Sequence, residues 1–201
     1  MGKDRNKDGV FHVIAPIYGM FYNYQKRHYN AVLDKTQSVL DISKYQNIID
    51  IGCGTGALCS VLSQRGLKVT GVDSVQRMLN IAAKKRENKG IKFICANALE
   101  RMPFTDKSFD VSIASYVAHG LEERERKAMY AEMNRITKNV VIISDYNKKG
   151  SAIISIVEWF EGGDYFNFRK KAESEMKENF RSSRVMDVGL REAWYIGTPK
   201  D

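Results

Sequence analysis

The segment Asn47-Ile48-Ile49-Asp50-Ile51-Gly52-Cys53-Gly54-Thr55-Gly56-Ala57-Leu58-Cys59-Ser60-Val61-Leu62-Ser63 decides the fold. Its opening run of isoleucines, interrupted only by Asp50, is short, β-branched and closed by glycine, which predicts a buried central strand. Gly52, Gly54 and Gly56 follow at alternate positions. Glycine tolerates φ > 0 and lets a ligand approach the backbone closely. The next six residues, Ala57 to Leu62, carry a helical pattern that stops at Gly66. The glycines therefore join a strand end to a helix N-terminus, where outward-pointing N–H groups receive the ligands of open α/β sheets.

Working outward, the run Lys68-Val69-Thr70-Gly71-Val72 reads as the next strand and ends at Asp73. A carboxylate about twenty residues past the first glycine, at a strand end, is placed to accept from two vicinal ribose hydroxyls. A nucleoside ligand follows. The loop also satisfies the dinucleotide pattern G-x-G-x-x-[GA], which is weak evidence by itself. Asp50 separates the readings. A pyrophosphate in this loop would face a carboxylate at close range, whereas a ligand carrying an ammonium and a sulfonium would be attracted to it.

Asp50-x-Gly52-x-Gly54-x-Gly56 together with Asp73 resembles motifs I and II of the class I S-adenosylmethionine (SAM) methyltransferases, and the resemblance runs from Asn47 to about Asp145. It implies a Rossmann-like α/β fold: a seven-stranded, mostly parallel sheet flanked by helices, with the last strand antiparallel. It implies SAM as cofactor and S-adenosylhomocysteine as product. The cofactor set it implies is Tyr18, Asp50, Gly52, Cys53, Gly54, Gly56, Asp73, Ser74, Met78, Asn97, Ala98 and Ser115, with no metal. Asn97-Ala98 stands where the family commonly has Asp-Ala. Asn97 accepts from the adenine amino group through its amide oxygen, without charge assistance.

A chain of 201 residues, 43% hydrophobic, suits one domain with one core. The expected layout is an aromatic cover over 1–40, a SAM-binding core over 47–145, a substrate-side insertion over 146–182 and a terminal hairpin over 183–198. No apolar run approaches the ~20 residues needed to span a membrane, and residues 1–9 are polar and read as a frayed terminus. Three scattered cysteines, Cys53, Cys59 and Cys95, fit reduced thiols in a cytoplasm. The formal charge is +8. Its basic residues, among them Arg77, Lys84, Lys85, Arg86, Lys89, Arg124, Arg126, Lys127, Arg135 and Lys138, are interspersed with acids and read as solvated helix faces.

Along the rest of the chain, helices are expected over 21–40, 74–88, 122–136, 151–160 and 169–180, and strands at Lys92-Phe93-Ile94-Cys95, 111–115 and 140–145. Two short strands over 184–187 and 192–196 complete the pattern. The segment PFTDKSFDVSIASYVAHGL, from Pro103, resembles the family's post-III region. Thr137-Lys138-Asn139 is a clipped turn where the family often has Lys-Pro-Gly-Gly. Gly162-Gly163 is a breaker, and Tyr165-Phe166-Asn167-Phe168 reads as an aromatic loop. Ile14 to Tyr18 resembles the segment that covers cofactor and substrate in many small-molecule methyltransferases; packing on the sheet edge is the alternative.

Methyl transfer from a sulfonium is an in-line displacement, so the protein mainly aligns the reactants and excludes water. A general base is required only if the acceptor must lose a proton. The candidates for that base, Tyr116, His119, Asp145 and Tyr146, follow the fourth and fifth strands. His119 has the best intrinsic pKa for a base and Tyr116 is its neighbour; a packing role for the imidazole is the alternative. The Asn-Pro-Pro-Tyr and Pro-Cys signatures of nucleobase methylation are absent, which disfavours nucleic acid. Tyr18, Tyr22, Tyr116, Trp159, Tyr165, Phe166 and Phe168 suggest a small, partly apolar acceptor. A monomer or homodimer without a membrane anchor is expected. A nicotinamide-dependent oxidoreductase, a non-catalytic nucleoside-binding module, and an RNA or protein acceptor remain the competing readings.

Overall fold

A computed structural model describes residues 21–148 and 164–201. The expectations placed on Tyr18, Trp159, the 151–160 helix and Gly162-Gly163 lie outside the described residues. The chain forms two compact units, one ending at Asn97 and one beginning at Ala98.

In the first unit, helix α1 (residues 21–36) buries Tyr22, Val32, Leu33 and Thr36. Strand β1 (Asn47–Ile51) pairs in parallel with β2 (Lys68–Asp73), and β2 pairs in parallel with β3 (Lys92–Cys95). β1 is buried along Ile48, Ile49, Asp50 and Ile51, as a strand covered on both faces must be. Helix α2 (Ala57–Gln64) follows β1, and α3 (Gln76–Lys84) follows β2. The helix expected over 74–88 is shorter: it breaks at Lys85 and resumes as a 3-10 turn at Arg86–Asn88. There the Asn88 side chain donates to the Ala82 carbonyl (2.9 Å), capping the end of α3 from outside the helix.

In the second unit, β4 (Phe109–Ser115) and β5 (Thr137–Tyr146) are parallel, and β7 (Glu192–Thr198) runs antiparallel to both β5 and β6 (Ser182–Asp187). The sheet has seven strands, mostly parallel, with the last one reversed. This is the expected Rossmann-like class. A 3-10 turn at Ala118–Gly120 leads to α4 (Glu123–Ile136), whose start is closed by a capping box between Glu122 and Glu125. The turn expected at Thr137-Lys138-Asn139 does not exist. α4 passes straight into β5, and Thr137 Oγ1 donates to the Ser112 hydroxyl (2.8 Å). β5 therefore starts three residues before the expected strand.

Helix α5 (Tyr165–Asn179) overturns two expectations. Tyr165 to Phe168 is its first turn and not a loop, and Tyr165 and Phe168 face inward at 1% and 0% exposure. Arg126 was expected on a solvated face. It is fully buried, with Nε and Nη2 donating to both Glu175 carboxylate oxygens (2.8 and 2.7 Å) and Nη1 to Asp164 Oδ2 (3.0 Å). Nη1 also donates to the Leu121 carbonyl at 2.5 Å. A buried guanidinium is tolerable only when its donors are taken in this way. Burial pulls Arg126 down, but Glu175 and Asp164 more than restore it and hold the group above its ordinary value. Arg135 is likewise mostly covered, bonded to Glu132, Asp106 and two backbone carbonyls.

Candidate functional site

The glycine loop leaves the carboxyl end of β1 with Gly52, Gly54 and Gly56 all at positive φ (70°, 52° and 77°). The last two do different work. A Cβ on Gly54 would meet nothing within 4 Å. A Cβ on Gly56 would sit 2.9 Å from Asn88 Nδ2 and 3.1 Å from both Ala82 Cβ and Phe93 Cζ. Gly54 thus faces open space that a ligand can enter, and Gly56 is glycine because helix and sheet close upon it. Cys53, between Gly52 and Gly54, is buried, its N–H donating to the Val72 carbonyl (2.9 Å).

Asp73 ends β2 and ties the loop to its neighbour. Its Oδ2 accepts from Gly54 N and its Oδ1 from Val75 N, both at 2.8 Å. Asp50 is 2% exposed and accepts from the Cys59 thiol (3.2 Å). Burial pushes its pKa up to about 7; the Cys59 bond opposes this and the Asp73 charge adds to it. Burial also pushes the Cys59 thiol well up, so it serves as a donor and not as a nucleophile.

Of the remaining residues expected at the cofactor in this unit, Ser74 and Asn97 are exposed after their strands, while Met78 is buried on α3 with Val75 and Ile81. Tyr22, expected in the acceptor pocket, is an interior residue. Its hydroxyl donates to Asn88 Oδ1 (3.3 Å), Lys85 stands over its ring, and burial pushes its pKa up to about 12.

In the second unit Ala98 is half-buried and Ser115 closes β4. Tyr116 follows at φ 56°, a left-handed conformation that costs a non-glycine residue energy and is sustained by surrounding contacts. Its N–H donates to the Ser144 carbonyl (2.8 Å). The turn continues to His119, whose Nδ1 lies 2.8 Å from Asp145 Oδ1 at the end of β5. Asp145 is fully buried and also accepts from the backbone N–H groups of His119 (3.2 Å) and Tyr146 (2.8 Å). A carboxylate among donors accepts, so Nδ1 carries the hydrogen and Nε2 is left as the basic nitrogen.

Around this imidazole the rings of Tyr146 (4.9 Å), Tyr165 (6.4 Å) and Tyr116 (6.5 Å) stand edge to face. Two of the aromatic residues expected to line a pocket are core residues: Phe168 lies under Arg126 and against Tyr195, and Tyr22 is interior to the first unit; Phe166, 47% exposed, sets its ring edge-on to Tyr165 (5.5 Å). Asp145 and Tyr146 are candidate bases in the sequence alongside His119; that they pair with His119 instead had no local signal beyond the shared position after a strand.

A glycine loop open at Gly54, an acid at the end of each of two successive strands and a seven-stranded sheet with a reversed last strand define the class I SAM-dependent methyltransferases. A family model described as a methyltransferase domain matches residues 48–139. The ubiquinone biosynthesis O-methyltransferase of Rickettsia bellii is 29% identical over 188 residues, covering 87% of this chain and 74% of that protein. The demethylmenaquinone methyltransferase of Bacillus licheniformis is 30% identical over 145 residues, covering 68% and 60%. Among solved structures, a SAM-dependent methyltransferase of Thermotoga maritima, described as a possible histamine N-methyltransferase, superposes with a TM-score of 0.71 at 18% identity, covering 97% of this chain and all of that one. The chain is a SAM-dependent methyltransferase. The open space at Gly54 fits the cofactor.

Proposed function

We propose that all 201 residues act as one methyltransferase domain that methylates a hydroxyl on a small, partly apolar acceptor, with His119 as general base. The observation that carries this reading is the His119 Nδ1–Asp145 Oδ1 pair at 2.8 Å. In the first unit Gly54 and Asp73 hold SAM, with the Asp73 carboxylate at the ribose. When bound, the cofactor supplies a methyl group on a sulfonium, with a neutral leaving group. In the second unit Asp145 fixes the His119 tautomer, and Nε2 takes the acceptor's proton. Tyr116, Tyr146 and Tyr165 exclude water around the imidazole.

The O-methyltransferase named among the relatives supports a hydroxyl acceptor. An acceptor of this size leaves no role for nucleic acid. A cytoplasmic setting goes with free thiols at Cys53, Cys59 and Cys95, and among the described residues no helix is long and apolar enough to cross a membrane. A monomer or homodimer suffices.

The test is transfer of a labelled methyl from SAM to a panel of small phenols and alcohols, set beside matched amines and thiols. Label on the hydroxyl compounds is expected. His119→Asn should lower turnover by roughly 10²–10⁴-fold without changing SAM affinity. Label confined to amines, or native turnover in the variant, would sink the base assignment.

A further inference from the structure

Four tyrosines among the described residues are buried: Tyr22, Tyr130, Tyr165 and Tyr195. Three use their hydroxyls. Tyr22 donates to Asn88 Oδ1 (3.3 Å), Tyr130 to Glu175 Oε2 (3.3 Å) and Tyr195 to the Tyr146 carbonyl (2.8 Å). The fourth does not: Tyr165 is 1% exposed, and its hydroxyl has no hydrogen-bond partner among the described residues. An unpartnered buried hydroxyl is costly and rare, and it marks a place where a water or a ligand completes the bond.

Its position says which. The Tyr165 ring stands edge-on to Tyr146 (5.0 Å) and to His119 (6.4 Å), with the Arg169 guanidinium over its face (5.2 Å). It therefore belongs to the cluster that surrounds the imidazole. A second buried hydroxyl without a partner, Ser115 Oγ, ends the strand that leads into the same turn. Packing gives no reason for the oxygen, since a phenylalanine would fill the same space without leaving a donor unmet.

The placement of Tyr165 is also fixed from behind. Asp164, the residue before it, accepts from Arg126 Nη1, and the same nitrogen donates to the Leu121 carbonyl, two residues beyond His119. One buried cation thus holds both the start of α5 and the end of the His119 turn.

We propose that Tyr165 is an acceptor-recognition residue: its hydroxyl donates to an oxygen of the methyl acceptor and so selects acceptors that carry a hydrogen-bond-accepting group beside the reacting one. This rests on the acceptor lying at His119. Tyr165 positions and selects, and it moves no proton.

The experiment is Tyr165→Phe, with Tyr195→Phe as its internal control. The urea midpoint of Tyr165→Phe should equal or exceed that of the native chain, because the lost hydroxyl had no partner. Tyr195→Phe should lower it, because that hydroxyl is bonded. The KM of Tyr165→Phe for the panel compound that the native chain methylates fastest should rise about tenfold, with kcat within twofold and SAM affinity unchanged. A lowered midpoint in Tyr165→Phe, or a native KM, overturns the proposal. If the panel shows label on amines, the base assignment fails, and the tenfold KM effect on the amine still decides for or against Tyr165.

Discussion

The glycine loop and the cluster around His119 are both built at carboxyl ends of strands, yet by opposite means. The loop is a backbone object. Its shape comes from three positive-φ glycines within five residues, closed by the Asp73 carboxylate on the Gly54 amide. The cluster is a side-chain object. His119, Asp145 and Tyr165 come from a turn, a strand end and a helix start, and a buried cation, Arg126, ties Asp164 before the helix to the Leu121 carbonyl after the turn. A backbone site tolerates change at neighbouring side chains and fails at its glycines. A side-chain site should fail from a distance.

The largest test of that contrast is Arg126→Met. It leaves Glu175, whose side chain is 3% exposed, as an unpaired buried charge, and breaking such a pair costs about 3–5 kcal/mol. Urea unfolding should register this loss, and Arg126→Met combined with Glu175→Gln should recover most of it. A single variant as stable as the native chain would mean that Arg126 does not secure α5.

Next in size is Asp73→Ala. A hydrogen bond to a charged group contributes about 1.5–3 kcal/mol, so SAM binding should weaken roughly a hundredfold by calorimetry. The Gly54 amide loses its partner in the same step. An unchanged dissociation constant would remove Asp73 from the cofactor.

The glycines come third, as a pair. Gly56→Ala places a Cβ within 3.1 Å of Ala82 and Phe93, an overpacking that costs about 1–3 kcal/mol of stability. A Cβ on Gly54 meets no atom within 4 Å, so the cost of Gly54→Val to the fold is the strain of a branched residue at φ 52°; the variant should keep its circular dichroism spectrum while losing SAM binding. Equal thermal losses in both would show that the two glycines do the same job.

The loop's buried acid gives a further test, a pH dependence. The folded state raises the Asp50 carboxyl from the ordinary 3.8 to about 7 through burial. Between those values the folded chain keeps a proton that the unfolded chain releases, so this group's contribution to stability falls as pH rises from about 4 to about 7. Asp50→Asn should flatten that slope in urea midpoints taken across the window. A slope unaffected by the substitution assigns it to other groups.

Much of this was legible before any coordinates. β3 was bounded to the residue, the loop was read as strand–glycine–helix, and Asp73 was placed at the end of β2, because each depends on residues adjacent in the chain. The misreadings share one cause. Tyr165 to Phe168 look like a loop after Gly162-Gly163, but Phe168 is pulled inward under Arg126. Thr137-Lys138-Asn139 look like a turn, but Thr137 is bound to Ser112 across the sheet.

By itself, then, the sequence determined the order of strands and helices, the glycine loop and the acid that closes it. Backbone conformation at glycine and the alternation of apolar residues are settled within a few positions of chain. The tertiary structure alone decided that Arg126 is interior, that Asp145 holds His119 and that the Tyr165 hydroxyl lacks a partner. Whether a charge or a hydroxyl is satisfied depends on a group tens of residues away: Glu175 lies 49 positions from Arg126, and Asp145 lies 26 from His119. Local pattern holds no record of that distance, because the free energy of a buried polar group is set by the neighbour that meets it and not by its own identity.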